Sequence, residues 1–228
     1  MLKLSQSLSL NAIKKSWSPD TEARLEAWYK NKTGITLNGS DVSAWADSSS
    51  NSNNMVQSDA SYQPAYTALT GALTFESSVK HSLQTTGQIS LTGAFTVGII
   101  FNPSISAPGT ILGDNAGGSA GHEFFKYTST TNLRVKIHNT TGNLPLDSGT
   151  FGDDYIVVTR DAGDRLNLWK NGVLQSASPV VSGTAEIDAI GVRESDQDYL
   201  DGVIKEIQIY TKESSGLTYN VNSYLSSI

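Results

Sequence analysis

The feature that most narrows what this chain can fold into is its punctuation: short β-patterned runs recur along its length, and Gly, Asn, Asp or Pro stands in nearly every gap between them. Such spacing without intervening helical patterns predicts antiparallel sheets and is hard to draw as a parallel α/β fold. The predicted strands are Leu25–Lys30, Val42–Asp47, Leu73–Phe75, Ser82–Thr85, Phe95–Phe101, Thr110–Leu112 and Glu123–Tyr127. Leu133–His138, Tyr155–Arg160, Leu166–Lys170, Val173–Ser176, Ala185–Val192 and Gly202–Tyr210 follow. The most secure pair is the hairpin over residues 166–175, because Asn171-Gly172 supplies the positive φ angles that a two-residue type I′ turn requires.

At 228 residues the chain is long enough for one β domain around a single core, here placed at residues 17–228. It contains no cysteine, so disulfides, thiolate nucleophiles and Cys-ligated metals are excluded, and stability must come from packing and hydrogen bonds. A net charge of −6 argues against nucleic acid and anionic membranes as partners, since both are held by Lys and Arg. No apolar run approaches the length of a membrane span.

Residues 1–16 differ from the rest. Leu2, Leu4, Leu8 and Leu10 alternate with Lys3, Ser5, Ser7 and Ser9, which is strand periodicity in a segment too small to bury its own apolar side. An extended N-terminal arm is expected to add to a sheet edge, its own or a neighbour's, with Leu2, Leu4, Leu8, Leu10 and Trp17 as the partner-binding residues. Trp17 stands where the arm meets the domain and is expected to anchor that junction. The arm's pattern does not match a secretory signal. At the other end Leu217, Val221, Tyr224 and Leu225 are spaced for a short helix over 215–228, with Glu213 or Ser214 as cap. Ser18-Pro19-Asp20 suits one short helical turn, and the Ser- and Asn-rich run 48–54 is a surface connection.

Several stretches, in order, resemble the concanavalin A-like sandwich with laminin-G-like strand order. They are Leu25–Tyr29, the turn Trp45–Asn53, Gly93–Phe101, Tyr155–Arg160, the Trp169-Lys170-Asn171-Gly172 hairpin and Leu200–Tyr210, together covering roughly residues 20–228. The resemblance implies an all-β, antiparallel two-sheet jelly-roll sandwich. In such sandwiches a strand like Phe95–Phe101 crosses the core, and Ile204, Ile207 and Ile209 lie on a late central strand. The family's functions range over glycan binding, adhesion, glycan cleavage and parts of viral particles, so the fold does not decide the function.

Catalytic chemistry is sought and not found. Glucanases of this kind carry Glu-x-Asp-x-x-Glu on one strand, whose carboxylates act as nucleophile and acid. The nearest match, Glu186-Ile187-Asp188-Ala189-Ile190-Gly191, ends in glycine, so Glu186 and Asp188 are read as ordinary outward strand residues. His81, His122 and His138 share no metal-ligand spacing, and His122-Glu123 would point to opposite faces. Asp114-Asn115 and the run Glu194-Ser195-Asp196-Gln197-Asp198 offer hard oxygens, without the alternating spacing of a calcium loop. Neither a metal nor a cofactor is predicted. Trp28, Trp45 and Trp169 lie in strand runs where a ring is more often packed than presented to ligand, and Tyr62 and Tyr66 flank a turn at Pro64.

The expected function is that of a non-enzymatic structural protein of a tailed-bacteriophage particle, a capsid decoration docking on other virion subunits through the arm. The alternative is a carbohydrate-binding or adhesion module, which requires exposed aromatics flanked by amides in a groove.

Overall fold

The computed structural model describes residues 17–104, 108–115, 124–137, 140–193 and 196–228. The predicted arm, His122, Glu123, His138, Glu194 and Ser195 lie outside them. In chain order the first strands are β1 (Leu25–Tyr29), β2 (Ile35–Asn38), β3 (Asp41–Trp45), β4 (Met55–Val56), β5 (Ala65–Thr67) and β6 (Ala72–Phe75). Next come β7 (Leu83–Leu91), β8 (Phe95–Pro103), β9 (Gly109–Gly113), β10 (Phe124–Ser129), β11 (Asn132–Ile137) and β12 (Thr140–Pro145). The chain ends with β13 (Asp154–Arg160), β14 (Leu166–Lys170), β15 (Val173–Leu174), β16 (Ala185–Ile190), β17 (Gly202–Tyr210) and the helix α1 (Ser215–Leu225).

Among the described residues every pairing is antiparallel, and the pairings form two layers. The first runs β15–β14–β13–β8–β17–β1. The second runs β12–β11–β10–β9–β16–β7–β4–β3–β2. At one corner β6 pairs with β17 and, through β5, with β3, so the layers are continuous there. This is the expected all-β sandwich, and the late strand β17 is an interior strand of its sheet, between β8 and β1 from the start of the domain.

Strand alternation explains the layering. On β8, Phe95, Val97, Ile99 and Phe101 point between the sheets into one core with Ile207 and Ile209 of β17 and Ile156 and Val158 of β13. The odd-faced partners Ile100, Val157 and Tyr210 point the other way and are covered by Leu217, Val221 and Leu225 of α1. Gly98 makes that cover possible: a Cβ there would lie 2.7 Å from Val221 Cγ1 and 2.9 Å from Leu225 Cδ1. The Ser214 side chain accepts from Leu217 N at 3.2 Å and caps the helix; Glu213 does not serve as the cap.

Two buried polar groups tie this frame. Arg160, fully buried, uses all five of its N–H donors on backbone carbonyls of Leu91, Gly93, Val181 and Gly183, at 2.5–3.3 Å. Glu206 accepts from Trp28 Nε1, Asn31 N and Gln208 Nε2, and Gln208 in turn accepts from Tyr210 Oη. Burial pushes the Glu206 carboxyl above its ordinary value, and the three donors offset that only in part.

The boundaries differ from expectation for local reasons. The last strand before β17 stops at Ile190 because Gly191 takes φ +87°, which breaks the pleat. The strand predicted over 82–85 runs on to Leu91. The turn Asn171-Gly172 has φ angles of 50° and 78°, as a type I′ turn requires. The connection 48–54 is a built loop: Asp47 accepts from Trp28 N, Ser49 N and Oγ, and Asn53 N.

Replacing Gly98 with Val should destabilise the domain by about 1–3 kcal/mol, since the helix cannot keep its seat. Urea unfolding checks this, and an unchanged midpoint would contradict it. For Glu206, the folded state holds its proton at pH values where the unfolded chain has lost it, so stability falls as pH rises above the ordinary carboxylate range. Glu206→Gln should flatten that fall; parallel stability–pH curves for the two proteins would refute the assignment.

Candidate functional site

On the outer face of the first sheet, β14 turns Leu166 and Leu168 into the core and leaves Asn167 and Trp169 beside α1. The Asn171-Gly172 turn folds β15 back, so Leu174 stays 52% exposed. The helix presents two stripes. Leu217, Val221 and Leu225 face the sheet, while Ser215, Thr218, Tyr219 and Asn222 recur at the i, i+3, i+4 and i+7 positions of the neighbouring stripe. Between that stripe and the β14–β15 hairpin lies a groove of 450 Å³, lined also by Glu213.

Two aromatic rings border this groove. Trp169 is half-buried against the helix cluster, and Tyr219 is 73% exposed. Amides stand beside them: Asn167 Oδ1 accepts from Ser178 Oγ at 2.9 Å, and Asn222 Nδ2 donates to Thr218 O at 2.8 Å. That leaves Asn222 Oδ1 and Thr218 Oγ1 buried without a hydrogen-bond partner, in a residue, Thr218, that is only 5% exposed.

Other candidates are already committed internally. A second cleft, 540 Å³, lies beyond the far end of α1, but its Asp153 pairs with Lys205 at 2.7 Å. Asp154, beside it, pairs with Lys170 at 2.9 Å. The acidic run read from the sequence is also paired: Asp198 is bridged by Lys126 and, at 2.6 Å, by Arg193. Burial pushes the Asp198 carboxyl up, yet the hydrogen bonds from Lys126 and Arg193 outweigh it and hold it below the usual range. Asn115 bonds Asp188 and Asp196. Among the described residues no group of three or more acidic or His side chains is placed to hold a metal ion.

The predicted site residues fall as follows. Leu2, Leu4, Leu8 and Leu10 lie outside the described residues. Trp17 packs on its own domain, 6.5 Å from the Tyr210 ring and 6.2 Å from that of Tyr224. Trp28 and Trp45 are buried, their indole N–H groups donating to Glu206 and to Lys30 O. Tyr66 packs partly on the core and Tyr62 remains exposed. His81 accepts from Glu76 N through Nδ1. Glu186 is half-buried, but Asp188 is not the outward residue expected: it is 4% exposed and accepts from Asn115 N at 2.5 Å. Tyr219 and Asn222 went unread because an exposed helix stripe looks like ordinary solvated surface; their i, i+3, i+4, i+7 register was the available signal.

No curated protein sequence matches the chain. Among solved structures, the binding domain of botulinum neurotoxin DC in complex with rat synaptotagmin II is similar over 92% of this chain and 52% of that one, with TM-score 0.55 and 12% identity. A structure of botulinum neurotoxin type C, whose cell entry is dependent upon interaction with two ganglioside molecules, matches over 90% and 51%, with TM-score 0.51 and 14% identity. The chain thus spans about half the length of these toxin chains, and at such identities the likeness is one of fold. The Ruminococcus gnavus IT-sialidase CBM40 bound to alpha2,3 sialyllactose is similar over 58% of this chain and 83% of that one, with TM-score 0.44 and 15% identity. The family model of the Concanavalin A-like lectin/glucanases superfamily, laminin-G type, matches residues 75–216, more than half of the sequence. With the strand order and register described above, this places the chain in the concanavalin A-like lectin/glucanases superfamily.

Proposed function

We propose that the domain is a non-catalytic glycan-binding module that holds sugar in the groove between the β14–β15 hairpin and α1. One observation carries this reading: Trp169 and Tyr219 border a groove that also presents the amides of Asn167 and Asn222. A sugar ring offers an apolar C–H face and a rim of hydroxyls. Aromatic rings complement the first and amides the second.

The superfamily embraces both lectins and glucanases, and Gly191 favours the lectin side. A retaining or inverting hydrolase needs two carboxyl groups flanking the scissile bond. Here the position that would carry the second is a glycine at φ +87°, where a Cβ would fall 2.7 Å from Phe75 Cδ1 and 3.1 Å from His81 O. Asp188 is turned to Asn115 N instead of into an open cleft.

The particle-decoration reading rests on the arm, and the arm lies outside the described residues. The family match supports the glycan-binding alternative better, so virion subunits are not carried forward as partners.

The test is a glycan array probed with the intact protein and with Tyr219→Ala, whose exposed ring contributes little to the fold. We expect binding to at least one oligosaccharide, weakened roughly tenfold or more by the substitution, as loss of a stacked ring implies. Undiminished binding by Tyr219→Ala would remove the groove from the account. For the glucanase question, Gly191→Glu restores the motif on paper; it should cost at least about 2 kcal/mol in stability and release no reducing sugar from β-glucan. A stable variant with hydrolytic activity would overturn the assignment.

A further inference from the structure

The groove's chemistry also bears on which sugars it accepts, an inference that rests on the glycan-binding reading above. Among the described residues that line it there is no Lys, Arg or His, and Glu213 carries the only formal charge. The Glu213 carboxylate accepts hydrogen bonds without donating any.

We infer that this groove selects neutral glycans and rejects those bearing carboxylate or sulfate. A neutral sugar brings hydroxyls that donate to the Glu213 carboxylate. An acidic sugar brings acceptors without protons and a negative charge that meets Glu213 in a groove partly screened from water. Rejection by an unpaired like charge is a common source of binding specificity. The chain's net charge of −6 acts in the same direction at longer range.

The experiment is a titration of the whole protein against two panels. The neutral panel holds lactose and cello-, xylo-, manno- and chito-oligosaccharides. The acidic panel holds alpha2,3 sialyllactose, oligogalacturonate and sulfated galactan fragments. We expect the tightest neutral ligand to exceed every acidic one by roughly tenfold or more at low salt. Glu213→Gln should narrow the neutral-to-acidic affinity ratio by roughly tenfold, because the amide loses the charge that opposes acidic sugars. Acidic ligands binding best to the unaltered protein, with loss in Tyr219→Ala, would overturn the selectivity and leave the groove as the glycan site. A preference untouched by Glu213→Gln would also overturn it, since the discriminating charge would lie elsewhere. Absence of binding to either panel would sink the glycan-binding reading itself.

Discussion

The close approach of α1 to the middle of β8 is the contact on which the outer half of this molecule depends. β8 pairs on one side with β17 and on the other with β13, so it is the axis of the first sheet. Its inner face fills the sandwich core; its outer face has a gap where Gly98 lacks a side chain, and Val221 and Leu225 occupy that gap. Seated this deeply, the helix buries Leu217, Val221 and Leu225 and turns Ser215, Thr218, Tyr219 and Asn222 towards the hairpin. A helix held further off would not form the groove with Trp169. The site is therefore a by-product of packing density at one glycine, which is how interiors transmit small volume changes.

The polar groups beneath and around the helix make this arrangement specific. Glu206, Gln208 and Tyr210 alternate along β17 on the face that the helix and Trp28 cover, and each finds a partner there. Arg160 plays the corresponding part at the sheet ends, joining the β7–β8 turn to the segment before β16 with all its donors used. Buried charged groups contribute little net stability against an apolar replacement, but removing one partner leaves the others unsatisfied. They fix how the strands and helix meet.

Much of the sandwich was legible because its strands obey elementary rules. Asn171-Gly172 announced its hairpin, the Leu166–Lys170 alternation survived intact, and the spacing of Leu217, Val221 and Leu225 gave the helix. What escaped was of two kinds. β12, Thr-Thr-Gly-Asn-Leu-Pro, has almost no β pattern and exists because β11 offers it a ladder, with Gly142 lying where a Cβ would come 2.6 Å from Val181 Cγ2. Short strands such as β4 and β5 likewise form only because neighbours pair with them. The groove escaped for another reason: it needs a strand face and a helix stripe brought together across the chain. Trp169 reads as a packed strand aromatic, which it half is, and nothing local to Tyr219 reports that Trp169 stands opposite. Asp188 was read as outward for the same reason, because its cover comes from the distant Asn115.

We propose that sugar is held between the hairpin and α1 and not on the outer face of the β10–β11–β12 sheet or at its charged rim. The most direct measurement is a two-dimensional amide NMR spectrum of the isotope-labelled protein, recorded while its best oligosaccharide ligand is added. Binding there should concentrate the shifts at the Trp169 indole N–H, the side-chain amides of Asn167 and Asn222 and the backbone of 215–222. Shifts confined to β10–β12 or to the Asp196–Asp198 rim, with those groove signals unmoved, would contradict it.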